Sequence, residues 1–221
     1  KEGKLVNLTE MWDQWDLRQP QHRRTFDHPE RFDFVDVSQN NHQRNQTHWD
    51  NFLWVRDYIK EKPRPINSVK IYGADGGAHG GGDIDAVEKF WRMIFAGGAS
   101  ARFHRPTSGL GLNELAQAQL RSARMFLKEY DLFNAQPDAK HSLLSQREED
   151  EVYLSYIDGK QYAVYFTDGG AVRLKLASDE WKVRWLDISK SQWRDVATVS
   201  KTDEIDLKAP GKGPWLVLVS K

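Results

Sequence analysis

The hydrophobic and polar positions in roughly the first 130 residues predict short strands that alternate with longer amphipathic helices. Four segments have the length and apolar content of strands, and they are residues 5–9, 32–37, 68–72 and 99–103. Strands that alternate with helices are typical of βα units and a parallel sheet. Because helices cover such a sheet, its strands are expected to be short and apolar.

Each predicted helix between these strands has a start signal. Thr47 and Asp50 are spaced as a capping box for a helix that runs to about Ile59. Asp83 is the predicted N-cap of a second helix, which Gly97 and Gly98 end. Asn113 is the predicted N-cap of a third. The apolar stripe predicted for that third helix consists of Ala116, Leu120, Ala123 and Leu127.

Beyond about residue 150 the apolar period changes from that of a helix to two. Seven strands are predicted, at residues 152–154, 162–166, 172–176, 181–185, 193–199, 205–207 and 215–219. Asp158-Gly159 and Asp168-Gly169 are favoured hairpin turns. The pattern therefore predicts an antiparallel β-sandwich over residues 141–221, after an α/β domain over residues 1–140.

The α/β domain matches the C-terminal half of a (β/α)₈ TIM barrel. A whole barrel needs about 250 residues, whereas this domain is predicted to end near residue 140. A small open α/β sheet of four strands fits the same alternation. The sequence opens on Lys1-Glu2-Gly3 without a methionine, so we expect a processed chain or a piece of a longer one.

Composition excludes several classes of protein. Lys plus Arg and Asp plus Glu are both 32 among 221 residues, and this balance argues against nucleic acid or an anionic membrane as the main partner. Mean hydropathy is −0.73 and no membrane span is predicted. The absence of cysteine removes thiolate chemistry. Nine Trp, seven Tyr and ten Phe suit both cores and clefts in which a sugar stacks on a ring.

Polar and aromatic residues follow the predicted strands, at the face where a barrel enzyme keeps its site. Candidate sugar-binding residues are Trp12, Asp13, Gln39, Asn40, Asn41, His42, Tyr72, Arg102, His104 and Arg105. Amides and imidazole match sugar hydroxyls, although residues 39–42 equally suit a network that holds the loop. Trp12 and Trp15 suit stacking on a sugar or a place in the core. Alternation puts Arg102 and His104 on one side of their strand, toward the lumen, whereas Arg105 suits an ion pair.

The order of these segments resembles that of a known family. The resemblance is carried by Glu10-Met11-Trp12-Asp13, Ser38-Gln39-Asn40-Asn41-His42, Lys70-Ile71-Tyr72-Gly73-Ala74-Asp75, Ala99-Ser100-Ala101-Arg102-Phe103-His104-Arg105-Pro106 and Ser108-Gly109-Leu110-Gly111-Leu112. They resemble bacterial cellulase-like and apiosidase-like glycoside hydrolases of clan A. The stretch from Tyr153 to Val219 is similar to the small β domain, named a collagen-binding domain, that follows such barrels.

The resemblance implies a pair of catalytic carboxylates. Clan A enzymes place an acid/base Glu after the fourth strand and a nucleophilic Glu after the seventh. If residues 5–9 are the fifth strand, the acid/base lies outside this chain, and the seventh strand ends at Asp75 rather than at a Glu. Asp75 and Glu10 are therefore the candidate catalytic residues. Alternatively, Asp75 turns the glycine-rich loop, and Glu10 orients or binds the sugar.

The expected function is hydrolysis of O-glycosidic bonds in a plant or algal polysaccharide or oligosaccharide, without cofactor or metal, by a secreted or periplasmic protein. The alternative is a non-catalytic protein that binds carbohydrate or acts as a scaffold. Half a barrel leaves strand edges open to another chain. We therefore expect the missing N-terminal half, or a second copy, as a partner besides the carbohydrate.

Overall fold

The computed structural model describes residues 12–74, 81–106 and 109–221, without the side chain of Lys201. The chain divides into two compact units, one of Lys1–Ile94 with Gly98–His104 and one of Phe95–Gly97 with Arg105–Lys221. The domain boundary near residue 140 stays a prediction. None of the described helices is long and apolar enough to cross a membrane.

The first unit contains a parallel sheet and helices between its strands. Its elements are α1 (Pro20–Phe26), β1 (Val35–Asp36), a 3₁₀ turn (Ser38–His42), α2 (Asn45–Tyr58), β2 (Ile66–Ile71), α3 (Gly82–Phe95, whose last residue belongs to the second unit) and β3 (Ser100–Phe103). The strands pair in the order β1-β2-β3, and both pairings are parallel. Two consecutive strand-helix-strand connections therefore build this sheet.

Three of the four predicted parallel strands lie among the described residues, and all three form. The strand predicted at residues 32–37 is reduced to Val35 and Asp36, because β2 begins only at Ile66 and the chain enters the 3₁₀ turn at Ser38. The strands predicted at 68–72 and 99–103 are β2 and β3. The strand predicted at 5–9 lies outside the described residues.

Two predicted helix caps are wrong. Helix α2 begins before Thr47, since the backbone N–H of His48 already donates to the carbonyl of Arg44 at 3.1 Å. Asp50 instead accepts from the side chain of Gln46. Asp83 lies within the first turn of α3, where its charge faces the positive end of the helix dipole.

The end predicted for α3 is confirmed. Gly97 has a φ of +87°, which favours glycine, and the N–H of Gly98 donates to the carbonyl of Met93 at 2.9 Å. Helix α3 is buried along most of its length: Val87, Phe90 and Trp91 are among its buried apolar residues, and Lys89 and Arg92 are buried as well. A helix buried nearly all round belongs to a core rather than to a surface.

The second unit consists of a helix and an antiparallel sheet. Its elements are α4 (Glu114–Phe126), a 3₁₀ turn (Leu132–Asn134), β4 (Gln136–Pro137), β5 (Leu144–Ser145), β6 (Val152–Ile157), β7 (Gln161–Phe166), β8 (Ala171–Asp187), β9 (Gln192–Lys208) and β10 (Trp215–Ser220). The strands pair in the order β4-β6-β7-β10-β8-β5, and β9 pairs with β8. The predicted fold class is confirmed: a parallel βα segment is followed by an antiparallel, curled β-sheet domain.

Long strands replace four of the predicted short ones. Residues 172–176 and 181–185 are parts of β8, and residues 193–199 and 205–207 are parts of β9. The β8–β9 ladder shifts register at three places, and such irregularities bend a strand without ending it. The curled sheet encloses a core that contains Trp181, Tyr162 and Phe166.

One of the two predicted hairpins forms. Gly159, with a φ of +64°, lies in the turn between the paired strands β6 and β7. The Asp168-Gly169 hairpin is wrong, because β10 returns to lie between β7 and β8. The Asp168 carboxylate instead accepts from the N–H of Gly213, just before β10, at 2.8 Å.

The predicted cap of α4 is confirmed, but its buried stripe is rotated. The Asn113 side chain accepts from the N–H of Ala116 at 2.9 Å. Ser122, which was not in the predicted stripe, is buried and donates to the carbonyl of Ile188 at 2.8 Å, whereas Leu127 is exposed. The buried face of α4 therefore includes Ser122 and Phe126, and Ser122 is hydrogen-bonded to the β8–β9 turn.

Candidate functional site

An open cleft of about 490 Å³ lies in the first unit, beside the segments that follow β1 and β2. These are the carboxyl ends of the strands, where α/β proteins bind their ligands. The lining comes from the segments after the strands and from the beginnings of α2 and α3. The cleft is lined by Asp13, Ser38, Gln39, Asn41, His42, Arg44, Lys70, Tyr72, Gly81, Asp85 and Lys89.

Asn41 ties the loop after β1 to β2. Its Nδ2 donates to Ser68 Oγ and to the carbonyl of Lys70, both at 2.8 Å. Next to it, the fully buried Asn40 donates to the carbonyl of His48 at 2.8 Å and accepts from Asn51 at 3.2 Å. The contacts of Asn40 therefore match the loop network rather than a hydroxyl-binding role, whereas Asn41 serves the network and also lines the cleft.

His48 is a neutral imidazole beneath this loop. Both Asn41 Nδ2 hydrogens are donated, so Asn41 Oδ1 is an acceptor and His48 Nε2, at 3.2 Å, carries the hydrogen. The pKa of His48 is well below its ordinary value. The main cause is burial of the ring, and the positive charges of Arg92 and Lys89 further disfavour its protonated form. The neutral ring thereby holds the Asn41 amide in one orientation.

The first unit is expected to lose stability as pH falls below about 6.5, the ordinary pKa of histidine. In that range the unfolded chain binds a proton at His48 and the folded chain does not. Stability from this group is therefore complete above about pH 6.5 and decreases on acidification, by at most about 1.4 kcal/mol per pH unit. NMR of the His48 ring should give a lower titration midpoint in the folded chain than in concentrated urea. Equal midpoints would contradict the assignment.

An aromatic pair lies at the cleft. The Trp15 ring stacks on His42, with centroids 4.7 Å apart and planes 22° from parallel, and Trp15 is 58% exposed. Trp12 is engaged elsewhere: its Nε1 donates to Thr25 Oγ1 at 2.9 Å, and the Arg24 guanidinium lies over its ring. Of the two tryptophans considered for stacking, Trp15 is the one that offers an open ring beside the lining.

Charged groups occupy the α3 side of the cleft. Lys89 Nζ donates to Asp85 Oδ2, and Arg44 Nε lies 3.8 Å from Asp85 Oδ1. Burial lowers the pKa of Lys89, and the hydrogen bond to Asp85 opposes that shift. Asp13, the other carboxylate of the lining, is exposed. The Asp85 carboxylate is therefore already engaged with two cations of the lining.

Some of the predicted site residues line the cleft and others do not. Asp13, Gln39, Asn41, His42 and Tyr72 line the cleft, whereas Trp12 and Asn40 do not.

Glu10 and Asp75, the candidate catalytic residues, lie outside the described residues. Arg102 is exposed and donates from Nε to the carbonyl of Val69 at 3.1 Å, and the His104 ring packs on Tyr72 with centroids 4.6 Å apart. Arg105 belongs to the second unit. Within residues 12–74, 81–106 and 109–221, no cluster of His, Asp and Glu side chains could hold a metal ion.

Sequence reasoning missed six residues of the lining: Ser38, Arg44, Lys70, Gly81, Asp85 and Lys89. Lys70 carries a signal in the sequence, because it lies two residues before Tyr72 and alternation puts both on one side. Asp85 and Lys89 are spaced as a helical i, i+4 ion pair, and this spacing normally indicates a solvated surface. Their approach to the cleft depends on how α3 packs.

Comparison with known proteins bears on the fold. No protein-family model matches the chain, and no curated protein matches it. The structure is similar to a glycoside hydrolase of family 5 from Bacteroides vulgatus, with a TM-score of 0.60 and 12% identity over 79% of this chain and 45% of the other. A second glycoside hydrolase has a TM-score of 0.63 and 13% identity, over 86% of this chain and 53% of the other.

A third similar structure is a GH30 endoxylanase from Clostridium papyrosolvens, with a TM-score of 0.50 and 12% identity over 93% of this chain and 52% of the other. The chain thus spans about half the length of the hydrolases that it matches. At such identities the likeness concerns the fold alone. The chain is structurally similar to clan A glycoside hydrolases, with a parallel βα segment and an antiparallel β domain that together correspond to about half of such an enzyme.

Proposed function

We propose that the cleft binds a carbohydrate and that the chain is the C-terminal portion of a glycoside hydrolase that cleaves O-glycosidic bonds in a plant or algal polysaccharide or oligosaccharide. The observation that carries the proposal is the open Trp15 ring, stacked on His42 beside a polar cleft at the carboxyl ends of parallel strands. An exposed ring presents an apolar face on which a sugar ring can stack.

The polar lining supports the same ligand class. Gln39 lines the cleft, and its side chain makes no hydrogen bond to any described residue, so its amide is available as both donor and acceptor. Asp13 likewise has no hydrogen-bond or ion-pair partner in the described parts of the chain. Amides and carboxylates beside an aromatic face match the alternating hydroxyl and C–H surfaces of a sugar.

In this proposal Glu10 and Asp75 remain the candidate catalytic carboxylates. Glycoside hydrolysis needs two carboxyl groups, about 5 Å apart for retention and about 6.5–9.5 Å apart for inversion. The rest of the barrel belongs to the proposal, either as an N-terminal half or as a second copy. Its support is that the matched hydrolases are about twice as long as the matched region.

A second candidate function is carbohydrate binding without catalysis. The observation that favours it is the pairing of Asp85 with Lys89 and Arg44. Because of this pairing, Asp13 is the one unpaired carboxylate among the described lining residues. A single carboxylate binds sugar hydroxyls but does not supply both an acid and a base.

Replacing Trp15 with alanine is expected to weaken sugar binding about two- to tenfold, because an aromatic contact contributes about 0.5–1.5 kcal/mol. Calorimetric titration of the full chain with plant and algal oligosaccharides measures the affinity. Trp193→Ala, which removes a partly exposed tryptophan from the second unit, is the matched control and should leave affinity unchanged. Equal affinities for wild type and Trp15→Ala would rule out Trp15 as the sugar platform.

Chromatography of the same mixtures separates the two candidate functions. Release of shorter oligosaccharides supports hydrolysis, and binding without turnover, in protein that includes the rest of the barrel, supports the second candidate. Where turnover is found, an Asp75→Asn variant that retains it would remove Asp75 from the catalytic pair.

A further inference from the structure

Among the described residues that line the cleft, positive side chains outnumber negative ones. Arg44, Lys70 and Lys89 line it, against Asp13 and Asp85. Asp85 is in contact with two of the cations, since Lys89 donates to one of its oxygens and Arg44 lies 3.8 Å from the other. Arg44 is well exposed, with 64% of its side chain open to solvent, so this pairing leaves much of its guanidinium free for a ligand.

Of the three cations in the described lining, Lys70 is the one that is not near Asp85. It forms no ion pair with any carboxylate in the described ranges, and its main-chain carbonyl is held by Asn41. The pKa of the nearby Asp36 is raised, because burial of its carboxyl group raises this pKa by more than the positive charge of Lys70 lowers it. Because Lys70 is partly buried, water screens its charge less than that of a surface lysine.

The start of α2 adds to this positive potential. Arg44 is the residue before the helix; no side chain caps it, and its first turn has no acidic residue. The positive end of the α2 dipole is thus not neutralised within the helix, whereas α3 has Asp83 and Asp85 in its first turn. Lys70, Arg44 and the start of α2 therefore all contribute to a positive potential at the cleft, which attracts an anion.

Among the described carboxylates of the lining, Asp85 is paired with cations, so Asp13 is the one that opposes an anion. It is exposed, so water and salt screen its charge more strongly than that of the partly buried Lys70. The attraction by Lys70 is therefore expected to outweigh the repulsion by Asp13.

We propose that the cleft selects sugars that carry an acidic group, a carboxylate or a sulfate ester, and that Lys70 binds this group with Arg44 beside it. This inference rests on the proposed function and names its substrate class. Gln39 and His42 face the same cleft and are left to bind hydroxyl groups.

Matched pairs of oligosaccharides test the inference with the full chain. One pair is trigalacturonate and its methyl ester, and the other is a κ-carrageenan tetrasaccharide and its desulfated form, with xylotetraose and cellotetraose as neutral probes. Calorimetry should show about tenfold tighter binding of the charged member of one pair, weakened by added salt. A preference within the trigalacturonate pair indicates that the cleft binds a carboxylate, and a preference within the carrageenan pair indicates that it binds a sulfate ester.

Lys70→Gln should bring the affinity for the charged sugar down to that of its neutral partner, and Lys70→Arg should restore the preference. Lys62→Gln, which removes an exposed lysine of the same unit that is not in the lining, is the control and should behave as wild type. Circular dichroism checks that each variant is folded. The rescue by arginine separates loss of charge from damage to the fold.

Three outcomes overturn the inference. Equal affinity for both members of each pair, or binding of neutral probes alone, excludes acid selectivity and leaves the proposed carbohydrate function intact. A preference that survives in Lys70→Gln excludes Lys70 as its source. Failure of every sugar to bind contradicts the proposed function itself and the inference with it.

Discussion

Replacing Trp181 with alanine is expected to destabilise the β-sheet unit by about 3–5 kcal/mol. Trp181 lies in β8 and is fully buried, with its ring edge against Tyr162 at a centroid distance of 5.4 Å. Its Nε1 also donates to the carbonyl of Ala177 at 3.0 Å. Alanine would leave a cavity that the curled sheet cannot readily close, together with a carbonyl that loses its partner.

Urea unfolding of the full chain, followed by circular dichroism, measures this effect. Trp193→Ala removes the same side chain from a partly exposed site, where it packs under the Arg184 guanidinium at 4.7 Å, and should cost at most about 1 kcal/mol. Trp181→Phe should fall between these two variants, since it removes less volume. Equal losses for Trp181→Ala and Trp193→Ala would show that the β unit does not depend on this core.

The second large effect is expected at Asn41. Asn41→Ala removes the partners of the Lys70 carbonyl, of Ser68 Oγ and of His48 Nε2 in a buried region. Each buried group left unsatisfied costs about 1–3 kcal/mol, so we expect a total loss of about 3 kcal/mol, allowing for partial relaxation. Sugar affinity should fall as well, because the loop that carries Gln39 and His42 loses two of its hydrogen bonds to β2 and keeps the one from the Val69 N–H to Ser38 Oγ.

Gln43→Ala is the control for Asn41. Gln43 is also partly shielded and follows the same loop, but its side chain makes no hydrogen bond within the described sequence. Asn41→Ala should therefore have a lower urea midpoint and a weaker calorimetric affinity for the sugar than Gln43→Ala. If Asn41→Ala loses no more stability than Gln43→Ala, the loop is held by something other than this network.

Elements with local signals could be predicted from the sequence. The alternation of β and α segments predicts the parallel order of β1, β2 and β3, and the change to a period of two predicts the antiparallel sheet. The roles of Asn113 at the start of α4 and of Gly159 in the β6–β7 turn could be predicted, because asparagine favours helix N-caps and glycine favours turns with positive φ. In each case neighbouring residues decide the structure, so the pattern is sufficient.

Elements that depend on distant partners could not be predicted in this way. Asp168-Gly169 has the composition of a hairpin, but the energetically better partner of β7 is β10, some fifty residues further along the chain. The predicted caps of α2 and α3 are also wrong, since α2 begins at Asn45 and α3 at Gly82, before the residues whose types suggested a cap.

The cleft, too, could be predicted from the sequence only in part. Polar loops at the ends of parallel strands are visible in the sequence, because the order of strands and helices brings those ends to one edge. Which residues reach the cleft is decided by packing: α3 brings in Lys89 and Asp85, the loop network turns Asn40 inward, and Trp15 rather than Trp12 keeps an open ring. Periodicity encodes the direction of a side chain from its own strand or helix, whereas the contacts that bind or bury it come from segments far away in the sequence.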